Sequence, residues 1–434
     1  MMKAIILTAG EGTRMRPLTL TKPKTMLPVA GKPIIQYNIE YLKEAGIRDI
    51  LLIVGYKEEY IRNYFGDGSQ LGVNISYKTQ EERIGTANAI EHGENFAEDS
   101  VLVLNGDIIL DKELLVEIIK EYEKKDADTM IVLTEVEDPR PFGVVKINKQ
   151  GYIEEIIEKP ATIEESPSHL INTGIYVFNK NIFKKIKKTT KSKRGEYEIT
   201  DSLTLQIQAG KKVKGFRTVK KWLDIGRPWE LIDINEQLLE DLETEIKGTI
   251  EEGVTIHGAV HLGEGSLLKS GTYIEGPIYI GKNTTIGPNT YLRGKTSIGD
   301  NVHIGNAVEI KNSIIMNNTN VGHLSYVGDS VLGEYCNVGA GTNFANLRFD
   351  DKTTHMRVKG ELVDTGRRKM GSIFADEAKT GINVTINPGI TVGHHSWIGS
   401  GVILINRDVD PYKFVTFKQD YEEYDNIECQ VKKL

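Results

Sequence analysis

Cysteine is nearly absent. The 434 residues hold two, Cys336 and Cys429, too few and too far apart for a disulfide framework, and a reducing interior is the natural compartment for such a chain. Long apolar runs are missing too: stretches such as Ile50 to Val54 fall far short of the ~20 residues that a membrane helix needs. Positive charge is not in excess, with 54 Lys and Arg against 61 Asp and Glu and a net charge of −7. No basic surface is therefore expected for a nucleic-acid backbone. Met1-Met2-Lys3 runs straight into an apolar segment, which leaves no room for a signal peptide. The chain is expected to be cytoplasmic, with no membrane and no nucleic-acid partner. No Gly-x4-Gly-Lys-Ser/Thr string occurs, which argues against a P-loop, and the third glycine of a dinucleotide fingerprint is replaced by Met15. The length allows two or three domains.

What is present begins at once. Lys3 to Thr8 is a short apolar run that reads as a buried strand. It opens into Ala9-Gly10-Glu11-Gly12-Thr13-Arg14-Met15-Arg16-Pro17, closed by Lys22-Pro23-Lys24. Two glycines let this loop fold tightly and turn its N–H groups toward an anion, and the cations beside them suit a triphosphate of charge about minus four. Up to about residue 228 apolar strands alternate with amphipathic helices. Strands are expected at Lys3–Thr8, Asp49–Val54, Val73–Lys78, Val101–Leu104 and Thr129–Leu133, and helices at Pro33–Ala45 and Lys112–Lys124. That alternation predicts a mostly parallel α/β sheet with its ligand at the carboxyl ends of the strands. Two acids sit on turns there, Asp107 in Asn105-Gly106-Asp107 and Asp224 in Trp222-Leu223-Asp224-Ile225-Gly226. Two hard carboxylates of this kind could hold Mg²⁺ against phosphate oxygens.

The loop as a whole resembles the signature of the sugar-1-phosphate nucleotidyltransferases. The resemblance implies a Rossmann-like domain of mixed or parallel sheet over residues 1–228. Its catalytic residues would be Arg14 and Lys24, and its metal ligands Asp107 and Asp224. It also implies contacts to nucleotide and sugar phosphate from Leu7, Gly10, Gly12, Thr13, Gln80, Gly85, Thr86, Gly143, Glu158 and Asn172.

Residues 229–248 read as a linker helix, and then the pattern changes. Ile250, Ile256, Leu262, Leu268, Ile274, Ile280, Ile286, Leu292, Ile298, Ile304, Ile310 and Met316 recur every sixth residue, many followed by glycine. After one slip the spacing resumes at Val321, Val327 and Val338, and again at Ile386, Val392 and Ile398. This hexapeptide repeat predicts a parallel β-helix of about seven coils over residues 249–409, with one aliphatic residue per hexad pointing inward and glycine at the corners. An insert at 347–372 interrupts it and gathers Arg348, Arg357, Lys359, Arg367, Arg368 and Lys369, whose charges are expected to be solvated. The tail, 410–434, is polar and acidic.

Within the repeat, Gly322-His323-Leu324-Ser325-Tyr326 and Asn337-Val338-Gly339-Ala340-Gly341 resemble the acetyltransferase half of the bifunctional N-acetylglucosamine-1-phosphate uridyltransferase/glucosamine-1-phosphate acetyltransferases. The likeness extends to the first domain and thus to most of the chain. It implies a left-handed coil, His323 as general base, and substrate contacts from Arg293, Lys311, Tyr326, Asn337, Asn346 and Lys352. It further implies acetyl-CoA bound at Ala340, a sugar 1-phosphate with UTP or dTTP as the other substrates, and a homotrimer or dimer of trimers. Trp222-Leu223-Asp224 is closer to the glucose-1-phosphate thymidylyltransferases, so UTP and dTTP both stay open. A single-function nucleotidyltransferase whose β-helix only assembles or regulates is the alternative.

Overall fold

The computed structural model describes residues 2–422. Cys429 and the end of the tail lie outside them, and the other cysteine, Cys336, is buried and unpaired. The amino-terminal part is built on a nine-stranded sheet. Its main path runs Ile153–Glu158, Gly143–Ile147, Leu170–Asn179, Ser100–Asn105, Lys3–Leu7, Asp49–Val54 and Asn74–Thr79. The first strand lies parallel to both Asp49–Val54 and Ser100–Asn105, whereas Leu170–Asn179 runs antiparallel to Ser100–Asn105 and to Thr129–Glu135. The sheet is mixed, as expected, and the five strands foreseen all form, shifted by a residue or two at their ends.

Helices cover both faces because their apolar residues fall on one side. Ile34–Glu44 buries Ile35, Ile39 and Leu42 against one face, and Lys112–Tyr122 adds Leu114, Leu115 and Ile118 to the same cluster. The latter begins at Asp111, whose side chain accepts from the N–H of Glu113 at 2.9 Å, satisfying one of the free donors of the first turn.

From Glu245 on, three stacked parallel sheets of eight, nine and eight strands close into a left-handed β-helix. The count exceeds the expected seven coils because strands form at both ends of the repeat, from Glu245–Ile246 to Phe414–Val415. Ile274, Leu292, Ile310, Val327, Phe344, Ile386 and Leu404 are paired in register one above another and form one file of its core. Two sequence expectations need correction. The inward residue after Ile310 is Ile315, not Met316; the corner at Asn312 is one residue short, and Met316 turns outward to the other domain. Glycine serves only part of the left-handed corners: Gly265, Gly271 and Gly341 take some, while Asn283, Asn301 and Asn318 take others. Other glycines permit close approach: a Cβ on Gly305 would run into the carbonyl oxygen of Gly322 on the next coil.

The two parts share a core. Met15, Leu18, Trp229, Leu231 and Ile232 pack with Ile314, Met316 and Ile373 of the β-helix and with Met356 and Met370 of the insert. The helix Glu230–Leu239 runs between the parts, and its buried Asn235 knots them together. Its amide oxygen accepts from Ala30 N at 2.9 Å and from Ser297 Oγ at 2.5 Å, and its amide nitrogen donates to Lys295 O at 2.8 Å. A second tie is Lys22, only 3% exposed, whose ammonium lies 2.9 Å from Glu334 Oε2 and 3.1 Å from Asp376 Oδ2 of the β-helix. Burial alone would lower its pKa, but the two carboxylates outweigh it and hold the group above its ordinary value. Lys22→Met leaves two carboxylates facing each other without a cation and is expected to cost about 3 kcal/mol, read as a lowered midpoint in urea. An unchanged midpoint would contradict the tie. Among the described residues no helix is long and apolar enough to cross a membrane.

Candidate active sites

The first site forms where the strands end. Gly106 N donates to Leu7 O at 2.9 Å, so the signature loop and the Asn105-Gly106-Asp107 turn start side by side. Gly12 adopts φ +66° and starts the short helical turn Thr13–Met15, with Met15 N donating to Gly12 O at 2.9 Å. Asp107 and Asp224 are brought together by an antiparallel pair, Ile108–Leu110 with Trp222–Asp224, in which Asp224 sits opposite Ile108. Lys24 completes the cluster: its ammonium contacts Asp107 and donates to Ile225 O at 2.9 Å. Burial and the neighbouring Asp107 push the Asp224 carboxyl up to about 6, and Lys24 and Arg14 only partly offset this. Two crowded carboxylates short of positive charge fit a hard divalent cation such as Mg²⁺. No group of three or more His, Cys, Asp or Glu suited to a metal occurs among the described residues. Water and phosphate oxygens would therefore fill the remaining positions around an ion held by Asp107 and Asp224.

These acids face a cavity of about 210 Å³ that also brings together Arg14, Thr86, Gly143, Glu158 and Asn172. Gln80 and Gly85 act just outside it. The Gln80 amide donates to Asn88 Oδ1 at 2.7 Å and to Gly85 O at 3.3 Å, fixing the turn that opens the helix at Thr86. Leu7, Gly10, Gly12 and Thr13 are not in its lining and belong to the loop beside it. A side chain at Gly143 would crowd Glu158, since its Cβ would lie 3.0 Å from Oε2.

Several lining residues escaped the sequence reading. Tyr176 holds Asn172 in place, its hydroxyl oxygen accepting from the Asn172 side-chain amide nitrogen at 2.6 Å. Glu198, raised by burial and by Glu158, is met by Arg194 at 3.0 Å. Phe142 packs edge-on against Trp222, centroids 5.7 Å apart. Glu198 and Arg194 lie in a charged stretch, Lys188 to Glu198, with no motif to single them out. The larger cavity, about 860 Å³ between the two domains against Lys22, Tyr64, Tyr279 and Asp300, contains none of the predicted residues.

The second set lies on the β-helix. His323 ends the strand Asn320–His323 and is exposed on the single chain. Its carbonyl accepts from Ser325 Oγ at 2.8 Å and from Gly341 N at 3.3 Å, so the Gly339-Ala340-Gly341 corner is held directly beneath it. On the adjoining sheet Arg293, Lys311 and Tyr326 stand on successive strands. Arg293 pairs with Glu309 at 2.7 Å, and Lys311 Nζ lies 2.8 Å from Asp329 Oδ2. The Asn346 amide donates to Tyr326 Oη at 2.9 Å and to Asp329 Oδ2 at 2.5 Å. Asn337 is exposed on the strand that follows His323 in its sheet.

Lys352 is exposed on the insert, where its N–H meets Asp350. The insert itself forms a hairpin, His355–Val358 with Glu361–Asp364. Its charges are not simply solvated: Arg348 pairs with Asp350, Arg368 with Asp351, and Arg367 with Asp233 and Glu236 of the linker helix.

A nucleotidyl transferase family model matches residues 3–241, and a model described as the GMPPB C-terminal domain matches residues 274–368. The bifunctional protein GlmU of Methanocaldococcus jannaschii is 45% identical over 419 residues, which span 96% of this chain and 98% of that protein. A bifunctional sugar-1-phosphate nucleotidylyltransferase/acetyltransferase of Sulfurisphaera tokodaii is 43% identical over 411 residues, 94% of this chain and 98% of that one. Among solved structures, a putative glucose-1-phosphate thymidylyltransferase from Bacillus anthracis superposes with TM-score 0.50 at 31% identity, over 57% of this chain and 98% of its own.

Proposed function

Because the chain belongs to the nucleotidyl transferase family, and along its whole length to the bifunctional sugar-1-phosphate nucleotidylyltransferase/acetyltransferases, we infer a two-step enzyme. It acetylates glucosamine 1-phosphate with acetyl-CoA and then transfers a uridylyl or thymidylyl group from UTP or dTTP to the product, releasing pyrophosphate. With UTP the product is UDP-N-acetylglucosamine. The observation that carries the nucleotidyl step is the meeting of Lys24 with Asp107, which with Asp224, Glu158 and Asn172 lines one cavity.

In that step a phosphate oxygen of the sugar 1-phosphate attacks the α-phosphorus, and the bond from that phosphorus to the bridging oxygen of pyrophosphate breaks. Little covalent work falls to the protein, so positioning and charge neutralisation carry the rate. Arg14 and Lys24 supply cations at the triphosphate, and the signature loop supplies backbone donors. Asp107 and Asp224 would hold Mg²⁺, which adds positive charge to the phosphate oxygens when bound. Gly143 leaves room for the sugar next to Glu158 and Asn172.

In the acetyl step His323 takes a proton from the ammonium of glucosamine 1-phosphate. The freed amine attacks the thioester carbonyl, and the coenzyme leaves as a thiol after receiving a proton. The N–H groups around Ala340 are suited to the thioester oxygen as its charge grows. Arg293 and Lys311 are suited to the sugar phosphate. His323 is exposed on one chain, which supports a site completed by a neighbouring copy in a trimer or dimer of trimers. A pyrophosphate-release panel tests the nucleotidyl half: N-acetylglucosamine 1-phosphate and glucose 1-phosphate, each with UTP and dTTP. N-Acetylglucosamine 1-phosphate is expected to be the better acceptor. Preference for glucose 1-phosphate would overturn the assignment of the sugar.

A further inference from the structure

Asp329 is 2% exposed, and its carboxylate is fully engaged. Oδ2 accepts from Lys311 Nζ at 2.8 Å and from the Asn346 amide at 2.5 Å; Oδ1 accepts from the Asn312 amide at 2.9 Å. Its main chain is pinned as well. Asp329 N donates to Lys311 O at 2.9 Å and its carbonyl accepts from Gly371 N at 2.8 Å, where the insert rejoins the coil. Around it stands an outer layer. Arg367 lies 3.9 Å from Oδ1, contacts Asp233 and reaches Glu236 Oε1 at 2.7 Å. Asn312 shares its amide nitrogen between Asp329 and the same Glu236 oxygen, at 2.7 Å.

A carboxylate near a bound phosphate would repel it unless its charge were consumed elsewhere. Here three donors already occupy it, and two of them belong to the residues proposed to meet the amino-sugar phosphate. We propose that Asp329 is the positioning residue of the acetyl-acceptor subsite, fixing Lys311 and Asn346 toward the sugar phosphate, and that Arg367 with the linker helix supports it from the nucleotidyltransferase side. Removal of the negative charge lets the flexible Lys311 stem swing free, while the Asn346 amide loses its shortest acceptor. The inference rests on the acetyltransferase reading above. It adds that the insert and the linker helix form the outer wall of that site.

The test uses the full chain with Asp329→Asn, which keeps the shape and removes the charge. The KM for glucosamine 1-phosphate is expected to rise about tenfold or more, with kcat, the KM for acetyl-CoA and pyrophosphate release all within about threefold of wild type. Combined with Lys311→Met, the substitution should add less than its effect alone, because the two changes share the Lys311–Asp329 interaction. An unchanged KM, additive losses, or a parallel fall in nucleotidyl transfer would overturn the proposal. If Asp329→Asn does not fold, Arg367→Gln carries the test: a KM increase of about threefold for the acceptor supports it, and an unchanged KM overturns it. A wild-type chain that acetylates no amino-sugar phosphate would sink the acetyltransferase reading itself, an outcome distinct from normal acetylation with a normal KM in both variants.

Discussion

Thiol release from acetyl-CoA falls by about 10²–10⁴-fold when His323 becomes alanine, the range expected for loss of a general base. Pyrophosphate release stays at the wild-type level. Histidine is the side chain whose ordinary pKa lets it accept a proton near neutral pH and return it within a turnover. The substitution is clean because the corner does not depend on the imidazole. It is the main-chain carbonyl of His323 that receives Ser325 Oγ and Gly341 N, and both bonds survive in alanine. The effect should therefore appear in kcat, with the KM values for acetyl-CoA and glucosamine 1-phosphate little changed. Wild-type thiol release in the variant would remove His323 from the mechanism.

The mirror-image result is expected at the other site. Asp107→Ala should lower pyrophosphate release by about 10³-fold and leave thiol release intact, because it strips one of two proposed ligands and the partner of Lys24. Without Asp107, Asp224 loses the charge that, after burial, does most to push its carboxyl up to about 6. A chelator of divalent cations should mimic the substitution, stopping pyrophosphate release while acetyl transfer continues. Persistence of pyrophosphate release in metal-free buffer would contradict the role given to the two acids.

Much of this was legible in the sequence because it is local. The strand-loop-cation signature and the period-six aliphatics each depend on neighbours a few residues away, and both fold as read. The failures share one cause, contact between distant segments. Period six marks Met316 as inward, yet a corner shortened at Asn312 puts Ile315 in the core and frees Met316 to pack on Leu18 and Trp229 of the other domain. The basic insert reads as a solvated loop, yet Arg367 finds Asp233 and Glu236 on a helix more than a hundred residues earlier. Tyr176 enters the cavity through sheet order and Glu198 through the start of the helix Ile199–Gln208, neither of which a short motif encodes.

The claim on which everything else depends is that one chain performs both reactions. The direct measurement supplies the purified protein with glucosamine 1-phosphate, acetyl-CoA, UTP and Mg²⁺, and follows free thiol and pyrophosphate together. The account predicts that thiol appears first and pyrophosphate follows in equal amount as UDP-N-acetylglucosamine accumulates. Pyrophosphate without any thiol, whichever amino-sugar phosphate is offered, would contradict it and reduce the β-helix to a scaffold.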